Sequence, residues 1–270
     1  MQTSINQFFK RLLELPWTYS QPVTHRPKER EAVISDLFFW IQDEEFEVFF
    51  ELLDLVNLFG DIQQSGVEIV FFDKAGGELF VKRIDAINGY RQRLNITEIL
   101  KDNLNFFTQG DYGTFAIFHL SSPDIVREMN SFVAERGYVS YRYKKSPISS
   151  YVHGNFDAIG KVGKDYIPLG GDSFFTRIYN LQYQFLTKKK YRIFLTNPCK
   201  KMKKISIKII SLIDGKKLRV IEFKVNSSAT VFCDLDSEVE PFKISIESRM
   251  IIARPVIFAF DSNHLDVFHG

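Results

Sequence analysis

Two short motifs hold the residue types best suited to chemistry. Val152-His153-Gly154 and Val267-Phe268-His269-Gly270 each set a histidine before a glycine and after β-branched or aromatic residues. An arginine precedes each, in Tyr141-Arg142-Tyr143 and in Ala253-Arg254-Pro255. Asn155 and Asp157 follow the first histidine, and Asp261, Asn263, His264 and Asp266 precede the second. A histidine at a strand end can present its ring to a shallow pocket, and the glycine lets backbone or ligand approach closely. Arginine offers a planar fork for a carboxylate or phosphate. Tyrosine rings are amphipathic and suit the faces of sugars. Tyr141, Arg142, Tyr143, His153, Asn155, Asp157, Arg254, His264, Asp266 and His269 therefore form a candidate ligand-binding set, with carbohydrate or another protein as the ligand.

Two other readings stand beside it. Imidazole and carboxylate groups such as His264, Asp266 and His269 suit zinc, manganese or iron. His153 or His269, with a nearby Asp or Arg, would then serve a sugar-modifying or metal-dependent enzyme. That spacing specifies no metal, so no metal ligands, cofactor or catalytic residues are assigned. The plainer reading is architectural: each histidine hydrogen-bonds a backbone group at the edge of its sheet, as buried polar groups must. The common catalytic signatures are absent. There is no G-x-S-x-G elbow, phosphate-binding loop, H-E-x-x-H helix or dinucleotide fingerprint, and no Cys/His array at zinc spacing.

The elements that must position these residues read as strands. Val67–Phe80 is an alternating apolar strand, an Asp-Lys-Ala-Gly-Gly turn and a second strand. Ile205–Phe223 repeats that hairpin around Asp214-Gly215. Gly and Asn supply the positive φ that tight hairpins need. The order of features around each hairpin also matches. A strand ends at Asn57 or Asn197, polar turns stand at Asn88-Gly89 and Asn226-Ser227, and Tyr112–Leu120 and Phe242–Ser248 alternate as last strands. An offset of about 140 residues relates the two sets, the mark of an internal repeat. Phe46–Phe59 fits both strand and helix periods, and the match to Tyr191–Asn197 favours strand. Ser4–Leu15 has the spacing of a short amphipathic helix stopped by Pro16. Pro123–Arg136 reads as a second short helix closed by Gly137. The basic clusters Lys188-Lys189-Lys190 and Lys200–Lys204 read as solvated loop tips, with an acid-binding patch as the alternative.

Composition agrees with an ordinary globular chain. Of 270 residues, 45% are hydrophobic and 25% charged, and the 27 phenylalanines favour strands. A net charge of +2 implies no strong field and nothing that points to nucleic acid. No run is long and apolar enough for a membrane span. The first residues lack the pattern of a secretion signal, so a cytoplasmic location is expected, with Cys199 and Cys233 reduced and buried. The expected fold is all-β: two tandem, internally duplicated, immunoglobulin-like antiparallel sandwiches with a short N-terminal helix. Residues 1–30 would be the helical extension and connector, 31–186 the first domain and 187–270 the second. The expected function is a non-catalytic binding or assembly protein, possible as a homo-oligomer.

Overall fold

The structure, a computed structural model, describes residues 33–60, 66–87, 89–103, 110–120, 134–144, 146–181, 183–187, 189–235, 240–252, 254–261 and 264–270. The expected helix at Ser4–Leu15 lies outside them, as does most of Pro123–Arg136. The last part of the latter is not helical: Ala134–Glu135 is the short strand β7, which runs parallel to β1 (Val33–Gln42).

Alternation builds the first pair of sheets. One sheet has the order β11-β10-β1-β6-β3-β4, with β3 Val67–Asp73, β4 Glu78–Ile84, β6 Asp111–His119, β10 Asn155–Val162 and β11 Asp165–Pro168. The facing sheet has the order β5-β2-β8-β9, with β2 Phe46–Leu53, β5 Arg91–Asn95, β8 Tyr138–Tyr143 and β9 Ser149–His153. Phe38, Trp40, Phe71 and Phe115 from one sheet meet Val48, Phe50, Leu52 and Tyr141 from the other in a shared core. The Trp40 indole N–H donates to the carbonyls of Phe72 and Thr114, so its polar edge is satisfied. The β3–β4 turn is organised by Asp73, whose Oδ1 accepts the N–H groups of Ala75 and Gly77. Gly76 sits at φ +86°, where a side chain would be strained.

Two short helices were not expected. The strand predicted as Phe49–Asn57 ends at Leu53, and α1 (Leu55–Gly60) follows. Asp54 decides this boundary: its Oδ1 accepts the Asn57 N–H at 3.0 Å, an N-cap. Ile96, directly after β5, begins α2 (Ile96–Asn103), with Asn95 as its cap.

The second pair of sheets has the order β12-β17-β14-β15 facing β16-β13-β18-β19. Its strands are β12 Asp172–Asn180, β13 Lys190–Thr196, β14 Lys203–Ser211, β15 Lys217–Val225, β16 Thr230–Leu235, β17 Phe242–Met250, β18 Val256–Phe260 and β19 Leu265–His269. The segment Asp172–Asn180 thus pairs with strands that follow residue 187. Eight strands of the first pair, β1-β6-β3-β4 with β5-β2-β8-β9, share the connectivity of β12-β17-β14-β15 with β16-β13-β18-β19, and β7, β10 and β11 are additions of the first pair.

The two pairs share a layer. Along β13, Ile193 and Leu195 enter the second core while Phe194 enters the first. Along β18, Ile257 and Ala259 face the second core, and Val256 and Phe258 the first. Both faces of these two strands are therefore covered, which is why Ile193–Leu195 and Val256–Phe260 read as continuous apolar runs. Phe39 and Phe194 approach to 3.8 Å between ring centroids, and Tyr141 and Phe258 to 4.7 Å. The β3–β4 turn adds a backbone contact, with the Thr230 N–H donating to the Lys74 carbonyl at 3.0 Å.

Candidate functional site

Both histidines of the His-Gly motifs end an outer strand beside a strand that starts at the same level. His153 pairs with Tyr138 at the start of β8, and His269 pairs with Val256 at the start of β18. The His153 Nδ1 lies 3.2 Å from the Arg136 carbonyl, and the His269 Nδ1 lies 3.4 Å from the Pro255 carbonyl. A carbonyl only accepts, so each Nδ1 carries the proton in these bonds. The His153 ring also lies against Tyr138, 4.1 Å between centroids.

The glycines are there for space. A Cβ on Gly154 would stand 2.6 Å from the Asp36 Cβ and 2.9 Å from the Leu37 carbonyl oxygen. One on Gly270 would stand 2.9 Å from Leu181 and Ile257 side-chain carbons.

Arg136 and Arg254 each stand two residues before the strand partner of the histidine. The equivalent of Arg254 is therefore Arg136, not Arg142. The Arg136 guanidinium grips Asp157 in a two-pronged pair, Nε to Oδ1 at 2.9 Å and Nη2 to Oδ2 at 2.7 Å. Asp157 is buried and holds φ +42°, and its N–H donates to Asp36 Oδ1 at 2.6 Å. Asp36 sits where the β1–β10 register shifts, at a bulge that turns its side chain into the joint. Burial pushes its carboxyl up to about 8; the Asp157 N–H opposes this, the Asp157 charge adds to it, and Arg254 and Arg136 oppose it. The group is thus mainly neutral at pH 7.

His269 belongs to the same neighbourhood. Burial pulls its imidazole down to about 4; the Pro255 carbonyl opposes the fall, and the charges of Arg254 and His153 add to it. The two His-Gly motifs therefore meet at one joint, where β9 lies beside β19 and the Ser150 hydroxyl donates to the Leu265 carbonyl at 3.2 Å. Asp36 Oδ2, Asn155 Oδ1 and His269 Nε2 are buried without a hydrogen-bond partner among the described residues. Such a joint can accept or donate hydrogen bonds, and the Arg136–Asp157 ion pair places charge within it.

The other expected residues lie apart. Tyr141 is fully buried, its hydroxyl donating to the Phe39 carbonyl at 2.7 Å, so its ring is core and offers no face to a sugar. Tyr143 is also buried, with its hydroxyl 3.5 Å from Glu45 Oε1. Arg142 pairs with Glu47 and lines a separate basin of about 480 Å³ with Lys144, Ser146 and Pro147. His264 is exposed at the β18–β19 turn, where its N–H donates to Asp261 Oδ1 at 3.0 Å. It stands five strand residues from His269, about 16 Å along the chain. Asp266 and His269 point to opposite faces of β19, so His264, Asp266 and His269 do not converge. Among the described residues no group of three or more potential metal ligands gathers.

Asp36 and Arg136 were missed by the sequence reading. The signal for Asp36 was present: one carboxylate inside the apolar run Val33–Ile41. Arg136 needed the register of β8 and β9.

No protein-family model matches the chain, and no curated protein matches it. Solved structures match weakly. A β-glucuronidase of Bacteroides uniformis is 12% identical over 86% of this chain and 25% of its own, with a TM-score of 0.14. The infectious bursal disease virus Gt strain structure is 12% identical over 80% of this chain and 52% of its own, at 0.15. A β-glucuronidase from glycoside hydrolase family 2 is 9% identical over 92% of this chain and 25% of its own, at 0.14. This chain spans less than two thirds of the length of each, and at these TM-scores the likenesses carry no argument.

Proposed function

We propose that the protein is a non-catalytic binding or assembly protein, made of two duplicated, immunoglobulin-like sandwiches, whose ligand is a carbohydrate or another protein. The His-Gly motifs are the joint between the sandwiches rather than a reaction centre. The observation that carries this reading is the shared use of the two rings: each spends its Nδ1 proton on a backbone carbonyl just before the strand it pairs with. A general base or metal ligand needs a ring nitrogen aimed at an open site, whereas His269 Nε2 is buried. The common order of eight strands in the two sheet pairs supports duplication. A cytoplasmic setting and homo-oligomeric assembly complete the reading.

The test is a screen of the purified chain against neutral and acidic oligosaccharides, scored for binding by thermal shift and for product release. Ligand at about 100 times its dissociation constant stabilises by about 2.7 kcal/mol. Binding without turnover is expected. Turnover that disappears in a folded His269→Ala variant would overturn the proposal.

A further inference from the structure

The strongest unused feature is a basin of about 1000 Å³ on the outer face of the β12-β17-β14-β15 sheet. Its cations form a row across three strands. Lys204 and Lys224 are direct cross-strand partners on β14 and β15. Ile205 pairs with Ser248, so one further step in that register sets Arg249 beside Lys204. All three side chains are exposed on the same face, at strand spacings of about 4.8 Å. Like charges directly opposite one another destabilise a sheet. Salt screens little at this range, because the Debye length is about 8 Å at physiological ionic strength. Lys201 adds a fourth positive charge to the lining. Lys201, Lys204, Lys224 and Arg249 have no ion-pair partner among the described residues, while the neighbouring Lys203 is held by Asp172.

The next row along the same face is of opposite character. Glu247, Ser206 and Glu222 are cross-strand neighbours there, and Glu247 is held by Lys208. A ligand that lies across both rows must carry anionic groups at one end and hydrogen-bond donors at the other. The adjoining edge strand adds apolar surface: Phe174 and Phe175, beside Thr176 of the basin lining, are 67% and 54% exposed and touch edge-on at 5.1 Å.

We propose that this basin binds an acidic oligosaccharide, with sulfate or carboxylate groups on the Arg249–Lys204–Lys224 row, hydroxyls donating to Glu222 and Glu247, and a sugar face against the phenylalanines. A phosphodiester chain fits less well. A DNA backbone offers acceptors only and would meet the two carboxylates, and the net charge of +2 lacks the footprint of a nucleic-acid binder. A membrane surface fits less well, because the cations line a concavity. The proposal rests on the reading of the protein as a binding module and gives it a site and a ligand class.

The experiment is calorimetric titration of the full chain with a heparin tetrasaccharide and a trigalacturonate. Neutral maltotetraose, an oligo-dT and phosphatidylserine vesicles serve as comparisons. The Lys204→Ser/Lys224→Ser variant is titrated in parallel. The expected result is binding of an acidic oligosaccharide that falls about tenfold or more in the variant, since each lost charge-assisted contact weakens binding. Its melting temperature should be equal or higher, because repulsion is relieved. Three results would overturn the proposal: no binding of either acidic oligosaccharide, equal binding by the variant, or tighter binding of oligo-dT or vesicles. If maltotetraose binds and the acidic sugars do not, the basin assignment falls while the binding-module reading stands.

Discussion

His153 and His269 occupy the same register position in two different sheets, and their rings face one joint. Each lies opposite the first residue of the strand before it, Tyr138 or Val256, and each turns its Nδ1 to a carbonyl just upstream. One physical arrangement is thus used twice. The two histidines differ in exposure: His269 is held neutral by burial, while His153 lies against Tyr138 nearer to solvent.

That difference sets the first expectation. His269→Ala should destabilise the fold by about 1–3 kcal/mol, the usual effect of removing one partner of a buried hydrogen bond. His153→Ala should have a smaller effect. Urea unfolding of each variant measures this, and a larger loss for His153 would contradict the arrangement described.

The pH dependence of stability follows from Asp36 and His269. Asp36 rises from an unfolded value of 3.8 to about 8, so the folded state holds a proton that the unfolded state has lost. Its contribution is fully present below about 4 and is lost as pH rises through about 8. His269 falls from 6.5 to about 4, so its contribution is present above about 6.5 and is lost as pH falls through about 4. The two oppose each other below about 6.5, and above it Asp36 acts alone, so stability should decline between about 6.5 and 8. Asp36→Asn keeps an oxygen for the Asp157 N–H and removes the titration. It should flatten that decline and gain about 1–3 kcal/mol at pH 8. Melting temperatures across this range decide the matter, and an unchanged slope in the variant would refute it.

The two arginines that precede His153 should behave differently. Arg136 is the partner of Asp157, whose side chain is 2% exposed, so Arg136→Ala leaves a buried carboxylate without its clamp. Arg136 itself is 39% exposed, so water partly compensates, and a loss of about 1–3 kcal/mol is expected. Arg142 pairs with Glu47 nearer the surface, at 42% and 26% exposure, and Arg142→Ala should cost under about 1 kcal/mol. Equal losses in the two variants would contradict this ranking.

How much of this was legible in the sequence depends on how local the deciding interaction is. The hairpins at Val67–Phe80 and Ile205–Phe223 were legible because Asp73 and Gly76, or Asp214 and Gly215, settle the turn within a few residues. The end of β2 was not, because Phe46–Phe59 carries both periodicities and the Asp54 cap breaks the tie. The joint was half legible. The His-Gly motifs stood out, but the matching of Arg136 to Arg254 depends on cross-strand register, which residue spacing alone does not supply. The Arg249–Lys204–Lys224 row is hidden for the same reason: its members lie far apart in sequence and meet only through pairing.

Cys199 and Cys233 are both buried as free thiols. Burial pushes them up to about 11 and about 12, so neither offers much thiolate at neutral pH. A thiol reagent such as dithionitrobenzoate should react slowly with the folded chain and should titrate two thiols once it is unfolded. Fewer than two in the unfolded chain under non-reducing conditions would point to a bridge instead.

The shared layer makes a last expectation, about cooperativity. Phe194 lies on β13, a strand of the second pair of sheets, yet its ring packs into the core of the first, 3.8 Å from Phe39 and 5.1 Å from Phe258. Phe194→Ala should destabilise by about 3–5 kcal/mol, the range for deleting a buried phenylalanine and leaving a cavity. Because the residue is covalently part of one core and packed in the other, the wild-type chain should unfold in a single transition seen equally by tryptophan fluorescence and circular dichroism. In a Trp17→Phe background the emission comes from Trp40 alone, which sits in the first core and reports on that half, while circular dichroism reports on both. In the Phe194→Ala variant the coupling weakens and the two signals should separate. Separate transitions already present in the wild-type chain would mean that the aromatic layer does not couple the two halves.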